Sequence, residues 1–358
     1  MNLPLHGSNP NYLYHALNLT MPKNVIDFSV NVNPFGPPKS IKEKWEEWFS
    51  VIGDYPDPEG RELLRLIAES EGLPVSNILL GNGGAELITL IGRMLTNKHI
   101  GIIQPAFSEY EKVTKASGCQ ICHINLSAPD WKLDLNELSE VIINVDAIFL
   151  CHPNNPTGTI QSSEDIRHLL AICEANNCYL IIDEAFYDFY TDYVQLSHEI
   201  QNSDYLLIIR SLTKMYAIAG LRLGYVLANE RVIKQLRAYQ PEWSVNALAL
   251  EAGKECINEL SFVQKTQRFI QAERERVQTV LKETGYILSD SQVNFYLLKD
   301  PSLGNQRPLL KFLLKNGIVP RHTENFPGLA GEWLRFAVRL EKENNRLVEA
   351  LSQWKQKD

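Results

Sequence analysis

"RSLTKMYAIAGLRLGY", residues 210 to 225, sets one lysine among hydroxyls and glycines, with an arginine eight positions further on. The preceding "SDYLLIIR" (203–210) reads as a buried strand, so Lys214 falls where a strand has ended and the chain turns. Working outward, "HIGIIQPA" (99–106), "DAIFLCHP" (146–153), "CYLIIDEA" (178–185) and "RLGYVLA" (222–228) are further short, largely apolar runs. Between the middle ones, "SSEDIRHLLAICEANN" opens on serine and acidic residues and then repeats apolar positions at helical spacing. Buried strands separated by helices predict an α/β fold. A mostly parallel sheet is covered on both faces, and loops at its strand ends carry the chemistry.

The chain of 358 residues is 44% hydrophobic and 22% charged, enough for a large domain and a smaller one. From about residue 245 the pattern changes. A long charged helix, the alternating "VNFYLLKD", the helix "PLLKFLLKNG" and the strand "WLRFAVRL" make an α+β unit. The expected division is an N-terminal segment that covers the active site and joins the small domain (1–40), a large domain (41–244) and a small domain (245–358). The Asn/Pro/Gly-rich opening reads as a poor candidate for a core.

A formal charge of -8 offers no general attraction for nucleic acid or an acidic membrane surface. The opening lacks a basic segment followed by a long apolar run, and no stretch reaches about 18 uninterrupted apolar residues. A cytoplasmic protein is expected. The six cysteines do not make a disulfide framework, and Cys119 and Cys122 have no second pair with which to hold a metal.

Four stretches could carry chemistry. "LLGNGGAELITLIG" (79–92) runs through glycines into a helix, placing the backbone N–H groups of Gly84, Ala85 and Glu86 at a helix start that is either a plain turn or a phosphate cradle. It is not a G-x-G-x-x-G dinucleotide fingerprint, because Glu86 stands where glycine is required. "CHPNNPTG" (151–158) is a Pro/Gly turn that could also aim a carboxamide into a cleft. Asp183, after four apolar residues, needs a partner: a neighbouring loop, or the protonated nitrogen of a bound ring. Lys214 is a solvated amine or one that forms an imine with an aldehyde. Ser211, Thr213 and Arg222 beside it suit a phosphate. Together these groups complement pyridoxal 5'-phosphate.

In chain order the same residues resemble the fold-type I pyridoxal-phosphate enzymes of the aminotransferase class I/II superfamily, over nearly the whole length. The resemblance implies a three-layer α/β/α large domain plus a smaller α+β domain. It also implies a covalent bond from Lys214 to the cofactor, and phosphate contacts from Ser211, Thr213 and Arg222. Asn155 would face the ring oxygen, Asp183 the ring nitrogen, and Tyr110 of "PAFSEY" would stack on the ring. Tyr55 of "YPDPEG" would reach the cofactor of a second subunit, making a homodimer with shared sites.

Within the superfamily, "HGSNP" followed by "VIDFSVNVNPFGPP" is similar to the opening of L-threonine-O-3-phosphate decarboxylases, which act in cobalamin synthesis; histidinol-phosphate aminotransferases are the neighbouring branch. Phe186 stands where the aminotransferase pattern has a tyrosine. The substrate would be a small phosphorylated amino acid or amine, held by His6, Asn33, Arg321, Arg335 and Arg339. Arg335 would take the carboxylate. Arg339, four residues along the same expected strand, would reach the phosphate or else pair with Glu341 or Glu343.

Overall fold

The computed structural model describes residues 3–356. Its main sheet has seven strands: β1 (Ile78–Gly81), β2 (His99–Gln104), β3 (Gln120–Asn125), β4 (Ala147–Cys151), β5 (Tyr179–Asp183), β6 (Leu206–Ser211) and β7 (Gly224–Ala228). They lie in the order β1-β7-β6-β5-β4-β2-β3. Only β7 runs against its neighbours, β1 and β6; the remaining pairs are parallel.

The apolar runs have no polar side because both faces of the sheet are covered. Leu180 and Ile182 of β5 and Leu206 and Ile208 of β6 join one core cluster, while Ile181, Leu207 and Ile209 join another. This is the period of two expected of a strand buried between two layers. Helices α1 (Gly84–Met94), α2 (Glu109–Ala116) and α3 (Ser163–Ala175) are among those covering the faces. At the start of α3 the Ser162 hydroxyl accepts from the backbone N–H of Asp165 at 3.0 Å, so the cap falls one residue before Ser163, the serine expected to open the helix.

Chain direction then decides where the chemistry collects. β1, β4, β5 and β6 all point the same way, so the residues just past their ends meet at one edge of the sheet. Gly84, Asn155, Asp183 and Lys214 all belong to those ends.

A second, four-stranded antiparallel sheet contains β8 (Ile287–Leu288), β9 (Phe295–Lys299), β10 (Arg321–His322) and β11 (Leu334–Ala337), in the order β10-β11-β9-β8. It is accompanied by α4 (Leu260–Glu283), α5 (Arg307–Lys315) and α6 (Glu341–Lys355). The strand expected across "WLRFAVRL" stops at Ala337. None of the described helices is long and apolar enough to cross a membrane.

The N-terminal segment corrects an expectation. Phe28 is fully buried, and Tyr14 is nearly so, its hydroxyl donating to Leu314 O at 2.6 Å. Ile26–Asp27 also pairs in parallel with Ile318–Val319. The polar opening contributes to the core because its asparagines and serines find partners inside the protein, as Asn33 does below.

Candidate active site

A cavity of about 320 Å³ opens at the shared strand-end edge, between the main sheet, the N-terminal segment and the small sheet. Gly84, Ala85, Asn155, Asp183, Ser211, Thr213, Lys214, Arg222, Arg321, Arg335 and His6 all line it. These residues are as far apart in sequence as His6 and Arg335, and the fold brings them to one cavity.

Lys214 lies on the one-turn helix Leu212–Met215, started by Ser211, whose hydroxyl accepts from Thr213 N at 3.4 Å. Burial lowers the Lys214 amine to about pH 8, with Arg222 and Arg335 pushing the same way and Asp183 opposing. Asn33 braces this turn from behind: its backbone N–H donates to Lys214 O at 3.0 Å, and its Nδ2 donates to Met215 O and Thr266 Oγ1, both at 2.8 Å. Its Oδ1 accepts from Phe35 N at 3.0 Å. Asn33, expected on the substrate, therefore has its polar atoms engaged within the protein and does not line the cavity. Asn31, two residues earlier, does line it, with a buried Oδ1 that has no partner among the described residues. Only the fold tells the two asparagines of "NVN" apart.

At one end of the cavity stand the start of α1, Ser211, Thr213 and Arg222. The leading N–H groups of a helix have no intrahelical acceptor, and Gly84 and Ala85 supply them here. Glu86 does not: its N–H turns back to Gly83 O at 3.2 Å, and its carboxylate accepts from Asn82 N at 2.7 Å. Gly83 has a φ of +76°, and a Cβ there would lie 2.6 Å from Arg222 Nη2. The glycine thus lets the guanidinium close on the helix start.

Asp183 faces the cavity from the end of β5 and is buried. Burial pushes its carboxyl up, while the Tyr110 hydroxyl, the Ala185 amide and the Lys214 charge pull it down. The structure corrects the expectation that Tyr110 stacks in the site. Its ring is fully buried against Phe149, with centroids 5.2 Å apart and planes at 18°, and it is not in the cavity wall. Phe107, three residues earlier in the same "PAFSEY", is the aromatic that lines the cavity. The motif contains two aromatics, and their roles depend on how α2 sits on the sheet.

Two further arginines and a histidine also line the cavity. Arg335 on β11 donates through Nη1 to Asn155 Oδ1 and through Nη2 to Ser29 O at 2.7 Å, and burial lowers it to about 9. With Asn155 Oδ1 engaged, its Nδ2 is the atom available to donate to a ligand. Arg321 holds Leu5 O and Asn325 Oδ1, each at 2.5 Å, and lies beside His6, whose ring makes a 3.3 Å contact with Glu109. Arg339 is not brought to the cavity. It lies beyond the end of β11 and pairs with Glu343 at 3.2 Å, one of the two acids weighed for it. Arg339→Ala is accordingly expected to leave substrate selectivity unchanged and to shift stability by less than about 1 kcal/mol. Steady-state kinetics on phosphorylated and unphosphorylated substrate, with a urea melt, check this.

Tyr55 stands outside its own chain's cavity. It is 82% exposed, with its ring 5.0 Å from that of Trp243. Among the described residues no group of three or more His, Cys, Asp or Glu could hold a metal, and all six cysteines are unbridged.

The donor set fits pyridoxal 5'-phosphate. A glycine-walled helix start with hydroxyls and a guanidinium suits its phosphate, a buried amine of lowered pKa its aldehyde, and a buried carboxylate its ring nitrogen. The fold and this site define an α/β enzyme of the pyridoxal-phosphate type.

Comparison with known proteins gives the family. Residues 23–351 match the model for "Aminotransferase class I and II", and the chain belongs to that family. It is 33% identical to the threonine-phosphate decarboxylase of Salmonella typhimurium, over 97% of this chain and 95% of that protein. Among solved structures, it is similar to the histidinol-phosphate aminotransferase of Clostridium acetobutylicum, with 32% identity and a TM-score of 0.88 over 92% of this chain and 99% of that one. It is also similar to the L-threonine-O-3-phosphate decarboxylase of Porphyromonas gingivalis, with 26% identity and a TM-score of 0.83 over the same shares.

Proposed function

We propose that the protein decarboxylates L-threonine-O-3-phosphate to (R)-1-amino-2-propanol phosphate and CO2. The observation that carries this reading is the pair of buried arginines, Arg335 and Arg321, lining one cavity with His6. A substrate with a carboxylate and a phosphate meets one guanidinium with each anion. When bound, pyridoxal 5'-phosphate supplies an aldehyde that captures the amine and a ring that accepts the electron pair released at Cα. Gly84, Ala85, Ser211, Thr213 and Arg222 hold the cofactor's phosphate. Asp183 holds a proton at the ring nitrogen, and Asn155 Nδ2 faces the ring oxygen. Arg335 would hold and orient the substrate carboxylate, and Lys214 Nζ would carry the proton that replaces CO2 at Cα.

A second reading is transamination of histidinol phosphate with 2-oxoglutarate, through the same cofactor residues. It is favoured by the higher identity and TM-score of the aminotransferase structure, and aminotransferases are the better represented among the relatives. The sequence opening "HGSNP" and Phe186 favour the first. Purified protein with cofactor is given phosphothreonine in one vessel and histidinol phosphate with 2-oxoglutarate in another, and CO2 and glutamate are followed in parallel. CO2 without keto acid is expected. Glutamate without CO2 overturns the decarboxylase reading in favour of the second.

The functional unit is a homodimer in which Tyr55 completes the partner's site. Its support is the exposed apolar group Phe49, Ile52, Tyr55 and Trp243 on the surface of this chain. Mixing Tyr55→Phe chains with inactive Lys214→Ala chains is expected to restore activity, since each mixed dimer carries one doubly altered and one unaltered site. A fully active monomer in sedimentation refutes the shared site.

A further inference from the structure

The displaced aromatic has its own geometry. The Tyr110 hydroxyl donates to Asp183 Oδ2 at 2.5 Å, while Asp183 Oδ1 accepts from Ala185 N at 3.0 Å. We infer that Tyr110 is a positioning residue: its hydroxyl holds Asp183 ionised and fixed in orientation, and so decides whether the ring nitrogen of the bound cofactor keeps its proton. This rests on the cofactor assignment made above, and on neither choice of substrate.

The titratable groups that face Asp183 come from three elements. They are Tyr110 on α2, Cys151 at the end of β4 and Lys214 in the turn after β6. Cys151 is held as a neutral thiol, since burial and the Asp183 charge push it up to about 12. Lys214 is consumed as an amine once it bonds to an aldehyde. The Cys151 thiol directs its S–H to Pro153 O at 3.5 Å, so Tyr110 is the side chain of the three that donates to the carboxylate in the loaded enzyme. It stays a donor throughout the working range, because burial and the Asp183 charge raise its phenol far above ordinary values.

Packing aims the hydroxyl. The ring is clamped between Phe149, nearly parallel to it, and Phe107, edge-on at 5.9 Å and 84°. Thr114 Oγ1 ties to Tyr110 O at 2.6 Å one turn further along α2. The donor is therefore held by fixed side chains and cannot swing to a solvent partner.

The consequence concerns a single proton shared between the ring nitrogen and the Asp183 carboxylate. A hydrogen bond donated to a carboxylate favours its charged form. With Tyr110 in place the proton stays on nitrogen. Without it the proton moves to the carboxylate oxygen, leaving a neutral acid facing a neutral ring, with no other atom gained or lost.

The test uses the holoenzyme loaded with pyridoxal 5'-phosphate labelled with 15N at the ring nitrogen, whose chemical shift reports protonation. Wild type is expected at the protonated value at neutral pH. Tyr110→Phe, which keeps the ring packing, is expected to move towards the unprotonated value and to weaken cofactor binding by about tenfold, the loss of one hydrogen bond to a charged group. A merely structural role for Tyr110 predicts lower stability with an unmoved shift, and that result overturns the inference. Should Tyr110→Phe not fold, 3-fluorotyrosine at position 110 gives a stronger donor of nearly the same shape. In the cofactor-free protein it is expected to lower the pH at which the 13C-labelled Asp183 carboxyl titrates, and no change there also overturns the inference. A wild-type protein that binds the cofactor with its ring nitrogen unprotonated removes this inference alone. A wild-type protein that does not bind the cofactor removes the cofactor reading with it.

Discussion

Lys214→Ala is expected to lower turnover by about 10⁴-fold or more, because on the proposed reading one side chain would serve both as the covalent attachment point and as the proton carrier at Cα. Borohydride reduction of the loaded variant should fix no cofactor to the protein, whereas in wild type it should fix it to the peptide that contains Lys214. The geometry makes the amine suitable in advance. With a pKa near 8, about a tenth of it is neutral at pH 7, against well under a thousandth for an ordinary lysine. The neutral amine is the nucleophile, so the rate at which cofactor-free protein captures the aldehyde should rise with pH and level off above about 8. A reducible bond found on another lysine in the variant would sink the assignment.

The second large effect is expected at Arg335. Arg335→Lys keeps the charge and should nevertheless reduce kcat/KM for a phosphorylated amino acid by about 100-fold or more, with the cofactor still bound. The guanidinium bridges two groups that approach from different parts of the chain, Asn155 after β4 and Ser29 in the N-terminal segment. An ammonium is a single point charge and cannot hold both in one plane while gripping a carboxylate. If the direction of that carboxylate decides which bond at Cα breaks, the variant should also lose fidelity between CO2 release and amine transfer. Activity within threefold of wild type would show that Arg335 neither binds nor orients the substrate.

The class of fold was legible because its signal is local. A strand buried on both faces must be apolar throughout, and β4, β5 and β6 appear in the sequence as "AIFLC", "YLIID" and "LLIIRS" with turn residues after each. The residues that gather at the cavity were legible for a related reason: Asp183, Ser211, Thr213 and Lys214 sit on or just past the ends of those strands, so finding the strand end locates the residue. Glu86 was assigned a free N–H, but that N–H is taken by Gly83 O, because a helix start closes its first turn by a backbone bond that sequence does not display.

What the sequence determined by itself was the sheet, the order of the chemistry along it and the superfamily. The tertiary structure alone decided the roles of side chains that are near neighbours in sequence: Asn31 against Asn33, Phe107 against Tyr110, Arg335 against Arg339. In each pair both residues have the right chemistry. Which of them faces the cavity depends on where a strand ends, as at Ala337, or on which buried partner claims the polar atoms first, as Thr266 and Met215 claim those of Asn33. Those partners lie 182 and 233 residues away along the chain, and no local pattern of spacing carries that information.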